Sequence, residues 1–277
     1  MSPVLPIGVA LHSIGVEFAW WRESALRLEA AGYAGVWCWD HFISRGVRTD
    51  PVLECWTTLS AVAAVTERLT IGPFVLNVMN RHPAVVARMA ATLQELSGGR
   101  LVLGLGIGGH PAEHEALGIP FPPVAERVAR LEEAVAVIRA LWSGGPVTLP
   151  GRFYPLREAY AFPRPDPVPQ IIIGGETPAG ARLAARLGDG WTAFEETFER
   201  DEPVYRTSLA ALGRERSAVT VLVGVRRPAD RPIADGPWAR EPRAAFEAWR
   251  ARGADGVIVT ARTADDVDAL VAAAGRW

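Results

Sequence analysis

Four of the chain's five histidines fall where acid–base chemistry could use them. His12, His41, His110 and His114 each stand at or just past the end of a short apolar run, and His41 directly follows Asp40. A carboxylate beside an imidazole can set its tautomer and raise its pKa, which suits proton exchange near neutral pH. Asp40 and His41 are therefore the candidate catalytic pair. The plainer reading of these two residues is a surface contact at a strand end. His82, the fifth histidine, precedes a helix-starting Pro83 and reads as structural.

A second constellation is Gly174-Gly175-Glu176-Thr177-Pro178, a glycine turn leading into a helix. Free backbone N–H groups and the positive helix end together make an anion site without any lysine. A cofactor phosphate is the expected anion, and a tight strand–helix turn is the alternative. Two further motifs carry less. Gly104 to Gly109 fits GxGxxG, but lies in the fourth strand–helix repeat and not the first, where a dinucleotide fingerprint belongs. His110-Pro111-Ala112-Glu113-His114 fits a zinc-peptidase pattern with no convincing third ligand helix after it, so no metal is expected.

All 29 basic residues are Arg, which removes Schiff-base chemistry and a phosphate-gripping lysine. A net charge of -2 favours neither nucleic acid nor an anionic membrane as partner. Cys38 and Cys55 cannot build a disulfide framework and read as small core hydrophobes. Met1 to Gly15 lacks the basic start of a signal peptide, and no run is long and apolar enough to span a bilayer. The expectation is a cytoplasmic protein.

Eight apolar runs must position these groups: Ile7–Leu11, Gly35–Trp39, Thr70–Asn77, Leu101–Gly108, Gln170–Gly174, Gly190–Phe194, Thr220–Val225 and Asp255–Thr260. Each is apolar on both faces, as in parallel strands buried between a core and a helical layer. Helical patterns follow at 20–31, 52–66, 83–96, 126–142, 178–188, 199–212, 240–252 and 264–274. Pro83 and Pro178 suit first helical positions, Thr177 suits an N-cap, and Gly32, Gly98 and Gly188 suit left-handed helix ends. Eight unbroken strand–helix pairs predict a single-domain α/β fold, a (β/α)8 TIM barrel, with an open doubly wound sheet as the alternative. An irregular stretch at 143–169, with a small hairpin at Gly151–Tyr154, is expected as a loop insertion over the barrel mouth. In such a barrel the site gathers at the strand C-terminal ends, where the histidines and glycines above fall.

The chain resembles the bacterial luciferase-like superfamily, in particular its branch of coenzyme F420-dependent oxidoreductases. The resemblance runs from Ala31-Gly32-Tyr33 to Asp40-His41-Phe42, through Arg81-His82-Pro83 and Leu96 to Arg100, and on to Asp189-Gly190-Trp191. It covers roughly residues 7–195. It implies a cofactor laid across the strand ends, a strained bulge in strand three with a non-prolyl cis peptide at Phe74–Val75, and a homodimer. Cofactor contacts implied by position are Phe74, Val75, Asn77, Gly106, Gly108, Gly109, Gly174, Gly175, Glu176 and Thr177, with His12, Trp39, His110 and Trp191 around a small-molecule substrate. His41 would exchange the proton, with Asp40 orienting it. The alternative is an FMN-dependent monooxygenase fed reduced flavin by a separate reductase; a third is a cofactor-binding protein without turnover. Two departures bear on the substrate. Gly109 stands where the family often has Trp, and His12 where some relatives have an acid or aromatic.

Overall fold

The structure, a computed structural model, describes residues 5–228 and 231–277. The N-terminal reading that rests on Met1 to Val4 lies outside the described residues. The strands are β1 (Leu5–Leu11), β2 (Tyr33–Cys38), β3 (Thr70–Pro73), β4 (Leu76–Asn77), β5 (Val102–Gly106), β6 (Val147–Leu149), β7 (Leu156–Ala159), β8 (Gln170–Gly174), β9 (Gly190–Phe194), β10 (Thr220–Val225) and β11 (Gly256–Ala261). The helices are α1 (Phe18–Ala30), α2 (Cys55–Ala63), α3 (Pro83–Leu96), α4 (Pro111–Leu117), α5 (Val124–Trp142), α6 (Pro178–Leu187), α7 (Glu195–Ala211), α8 (Pro237–Arg240), α9 (Pro242–Arg250) and α10 (Ala264–Ala274).

The main sheet runs β3-β2-β1-β11-β10-β9-β8-β5-β4, parallel throughout. A parallel bridge between Ile71 and Leu101 joins its two ends, so the sheet closes on itself. β3 and β4 are one strand track interrupted at Phe74–Val75, which gives the eightfold barrel expected from the sequence. Alternation along the strands sorts two cores. Ile7, Val9, Leu11, Val36 and Cys38 face outward into the helical layer. Ala10, Trp37, Phe74 and Ile258 fill the lumen. Trp37 fits there because Gly8 and Gly72 face it; a Cβ at either would lie 2.6 Å from its ring. Cys38 and Cys55 are both buried and free.

The helix starts follow the expected chemistry. Thr177 Oγ1 accepts from Gly180 N at 3.0 Å, and the His82 ring accepts from Ala84 N at 3.2 Å. Pro83 and Pro178 open their helices. Gly32 and Gly98 have φ of 88° and 64°, as a left-handed helix end requires.

Three expectations are corrected. Gly188 is extended, with φ -88°, and is glycine because a Cβ would meet Gly190 O at 2.4 Å. The helix expected at 240–252 breaks at Glu241, because Pro242 must open a new helix. The stretch 143–169 does form a hairpin, but it contributes no residue to the cavity at the strand ends. It lies instead against the outside of α3 and α5. Glu133 accepts from the N–H groups of Arg152, Phe153 and Tyr154, and Gln94 donates to Pro167 O at 2.7 Å. The chain reaches this stretch from a helix C-terminus, at the end of the barrel opposite the mouth, so a cover over the mouth would need a far longer excursion. Among the described residues, no helix is long and apolar enough to cross a membrane.

Candidate functional site

A cavity of about 1110 Å³ opens at the strand C-terminal ends. Its floor is aromatic: Phe74 meets Trp37 and Phe194 edge-on, with centroids 6.1 and 5.5 Å apart. The Phe74–Val75 peptide is cis, at the place the resemblance implied. The Val75 side chain lies over two glycines. A Cβ at Gly106 would meet it at 2.7 Å and one at Gly174 at 3.0 Å, so those strand ends are glycine to let the bulge in.

His41 Nδ1 lies 3.0 Å from Glu113 Oε2, and its Nε2 lies 2.9 Å from Arg45 Nη2. A guanidinium only donates, so Nε2 accepts and Nδ1–H donates to the carboxylate. That fixes the tautomer. Glu113 also accepts from Phe42 N, so helix α4 and the loop after β2 are tied through one side chain. Burial pushes Glu113 up, but the bonds from His41 and Phe42 N–H outweigh it and hold its carboxyl below the usual carboxylate range. His110 packs edge-on to His41 at 5.0 Å. Burial, then Arg45 and His41, lower its pKa to about 4.

Asp40 does not orient His41, contrary to the sequence expectation. Its carboxylate accepts from Asn77 N at 2.9 Å, Asn80 Nδ2 at 3.0 Å and Arg81 Nη1 at 3.0 Å. Successive residues at a strand end point opposite ways, so Asp40 turns under the β4 track while His41 faces the cavity. Burial raises the Asp40 pKa against the pull of Arg81 and these donors. Asp40 therefore holds the bulge and Arg81, and Arg81 bridges on to Glu54 at the start of α2.

The residues expected at a cofactor come together on one side of the cavity. Phe74, Val75, Asn77, Gly106, Gly108, Gly109, Gly174, Gly175, Glu176 and Thr177 all line it. Gly175 packs against Gly180 so closely that a Cβ would lie 2.9 Å from Gly180 Cα, and the turn delivers the backbone to the N-terminus of α6. Gly108 has φ 74° and sits against the Asn77 amide, which itself donates to His114 Nε2 at 2.8 Å. Gly109 faces open space, with nothing within 4 Å of an added Cβ.

Of the four substrate-side residues, His12, Trp39 and His110 line the cavity and Trp191 does not. His12 and Trp39 meet edge-on at 5.3 Å, and burial lowers the His12 pKa. Trp191 points outward from β9, stacked on Phe198 and Tyr205, with Nε1 donating to Gly175 O at 2.9 Å. It supports the glycine turn from behind, an odd position read as even. The sequence reading missed Glu113, Arg45, Arg226 and Arg262 as part of the site. Glu113 was in view as a motif letter, but its partner lies 72 residues away. Arg127, also missed, donates to Ile107 O and Gly108 O and fixes the loop after β5.

A closed parallel barrel with a glycine-lined, histidine-bearing cavity at its strand ends has its candidate site where barrel enzymes carry theirs. The luciferase-like monooxygenase family model matches residues 5–232, and the chain belongs to that family. An F420-dependent glucose-6-phosphate dehydrogenase of Beutenbergia cavernae is 41% identical over 59% of this chain and 48% of its own. One from Kineococcus radiotolerans is 36% identical over 71% of this chain and 60% of its own. The chain thus spans about half the length of the curated relatives it matches. Among solved structures, an F420-dependent secondary alcohol dehydrogenase in complex with an F420-acetone adduct superposes with a TM-score of 0.84 at 21% identity, over 98% of this chain and 99% of the other. Monooxygenase RslO1 from Streptomyces bottropensis gives 0.77 at 23%, over 98% of both chains. These likenesses establish the fold.

Proposed function

We propose that the protein is an F420-dependent oxidoreductase acting on a small organic substrate. One observation carries the reading: the glycine-seated Val75 bulge, the Thr177-capped turn and the Glu113-oriented His41 all face one cavity. A flat ring fits the bulge with its glycine neighbours Gly106 and Gly174, and an anionic tail fits the free N–H groups at the start of α6. The relatives' F420 dependence supports the choice of cofactor. When bound, F420 supplies hydride transfer at its C5.

The protein's own part is positioning and proton handling. His41 holds its proton on Nδ1 against Glu113 and presents Nε2, now bonded to Arg45, towards the cavity. A substrate oxygen that displaces Arg45 meets a lone pair able to take its proton as hydride leaves. The imidazolium so formed is stabilised by Glu113. Trp37, Phe74 and Phe194 keep water from below.

The same reading includes a homodimer, which sedimentation of the pure protein tests, and a cytoplasmic location, which cell fractionation tests. The cofactor is tested by titrating the protein with F420 and with FMN. Micromolar F420 affinity and anaerobic hydride exchange with reduced F420 are the expected results. Absence of F420 binding, with oxygen uptake on added FMNH2, would replace this reading with a monooxygenase supplied by a reductase.

A further inference from the structure

The strand ends divide the cavity rim into two chemically different halves. On the side of β4, β5 and β8 the wall is glycine and backbone amide, from Gly106 to Gly109 and Gly174 to Thr177. On the side of β10, β11 and β1 the first residues past the strands are Arg226, Arg262 and His12, and all three line the cavity. These strands are sheet neighbours, so their ends stand roughly 5 Å apart in succession.

Arg262 is the unusual member. Its Nε is sealed from solvent and has no hydrogen-bond partner, and among the described residues no carboxylate pairs with its guanidinium. A guanidinium Nε–H sealed from solvent is costly to leave without an acceptor unless something else meets it. Its charge reaches His12 and helps to lower the pKa of that ring. Arg226 Cζ lies over the Phe194 ring, 3.6 Å from the centroid, with Nε 3.0 Å from Glu196 and Nη2 3.5 Å from Glu176. Arg45, on the opposite lip, feels Arg226 as a repelling charge. Of the other cavity acids, Glu113 is engaged by His41, Asp40 by Arg81 and Glu132 by Arg186, while Asp50 accepts from Ser44 Oγ at 3.3 Å.

We infer that this half of the rim is an anion subsite for the substrate: a carboxylate or phosphate group is held by Arg262, with Arg226 beside it, across the cavity from the glycine wall. The planar guanidinium suits a two-oxygen acceptor. The inference rests on the proposed function for the identity of the second ligand. It does not depend on that proposal for the charge itself. The same arginines could instead hold an anionic group of the cofactor, and the test separates the two.

The experiment titrates inorganic phosphate into the F420-loaded protein by calorimetry, at ionic strength held constant with KCl. Wild type should bind with a millimolar constant. Arg262→Gln should weaken this about tenfold or more while leaving F420 affinity within about twofold, and Arg262→Lys should keep part of it. Phosphate binding unchanged in Arg262→Gln overturns the subsite. So does a tenfold loss of F420 affinity in that variant, which would assign the arginine to the cofactor. Should wild type not bind F420 at all, the proposed function falls. Comparing cofactor-free wild type with Arg262→Gln then still decides the anion site.

Discussion

Glu113 Oε2 stands 3.0 Å from His41 Nδ1, and the same carboxylate takes the Phe42 N–H, so one acid from α4 sets both the ring and the backbone beside it. The imidazole cannot turn without breaking that pair. Glu113→Gln keeps the size but removes the charge that stabilises a protonated His41. Turnover with F420 should fall about 100-fold, with F420 affinity within about twofold. Steady-state kinetics and a fluorescence titration of the cofactor separate the two. Equal losses in both would mean that Glu113 only shapes the binding site.

The two glycines at the cofactor side should behave in opposite ways. Gly175→Ala forces a Cβ against the backbone of Gly180 and must open the turn before α6. Thermal unfolding should move down by several degrees, by about 1–3 kcal/mol, and cofactor affinity should drop with it. Gly109→Ala meets no protein atom within 4 Å and should leave the unfolding midpoint within error. Differential scanning fluorimetry with and without cofactor reads each variant.

Asp40 is a stability residue. Asp40→Asn removes one of the two carboxylates that hold Arg81 and leaves it with Glu54 alone. Removing one partner of a buried pair costs about 3–5 kcal/mol. Urea unfolding monitored by tryptophan fluorescence should show the midpoint falling with little change in slope. A loss under about 1 kcal/mol would contradict the role given to Asp40.

His110 gives the pH dependence a sign. Its folded pKa is lowered to about 4, first by burial and then by Arg45 and His41, whereas an unfolded chain titrates it near 6.5. The unfolded state therefore takes up a proton that the folded state refuses. Its stabilising share is complete above pH ~6.5 and drains away as pH falls towards 4. Carbon-13 chemical shifts of the ring should show His110 neutral down to pH ~5. His110→Gln should flatten this part of the stability profile.

The barrel was legible because its signals are local: eight apolar runs, each punctuated by glycine or proline and followed by an amphipathic stretch. The strand track at Gln170–Gly174 coincides with expectation to the residue. The glycine half of the site was legible for the same reason, since a glycine's need for space shows in the sequence even when its neighbour does not. Partner choice was not. Asp40 and His41 are adjacent, yet side chains alternate at a strand end, so the carboxylate nearest in sequence went to Arg81 and one 72 residues on took the imidazole. Trp191 was misplaced by the parity of one position. The hairpin's location followed from which end of the barrel it leaves, a property of topology and not of composition.

Glu133 gathers three successive backbone N–H groups of the turn between β6 and β7, while Arg130 lies over the Phe153 ring. The hairpin is thereby hung on α5 as an external brace. Width at the entrance is then left to the short segments after β2 and β5, which supply Arg45, Gly109 and His110. Changes in either region can accumulate without reference to the other: the bracing can lengthen or shorten while the doorway keeps its dimensions, and the doorway can be recut without loosening the wall behind it.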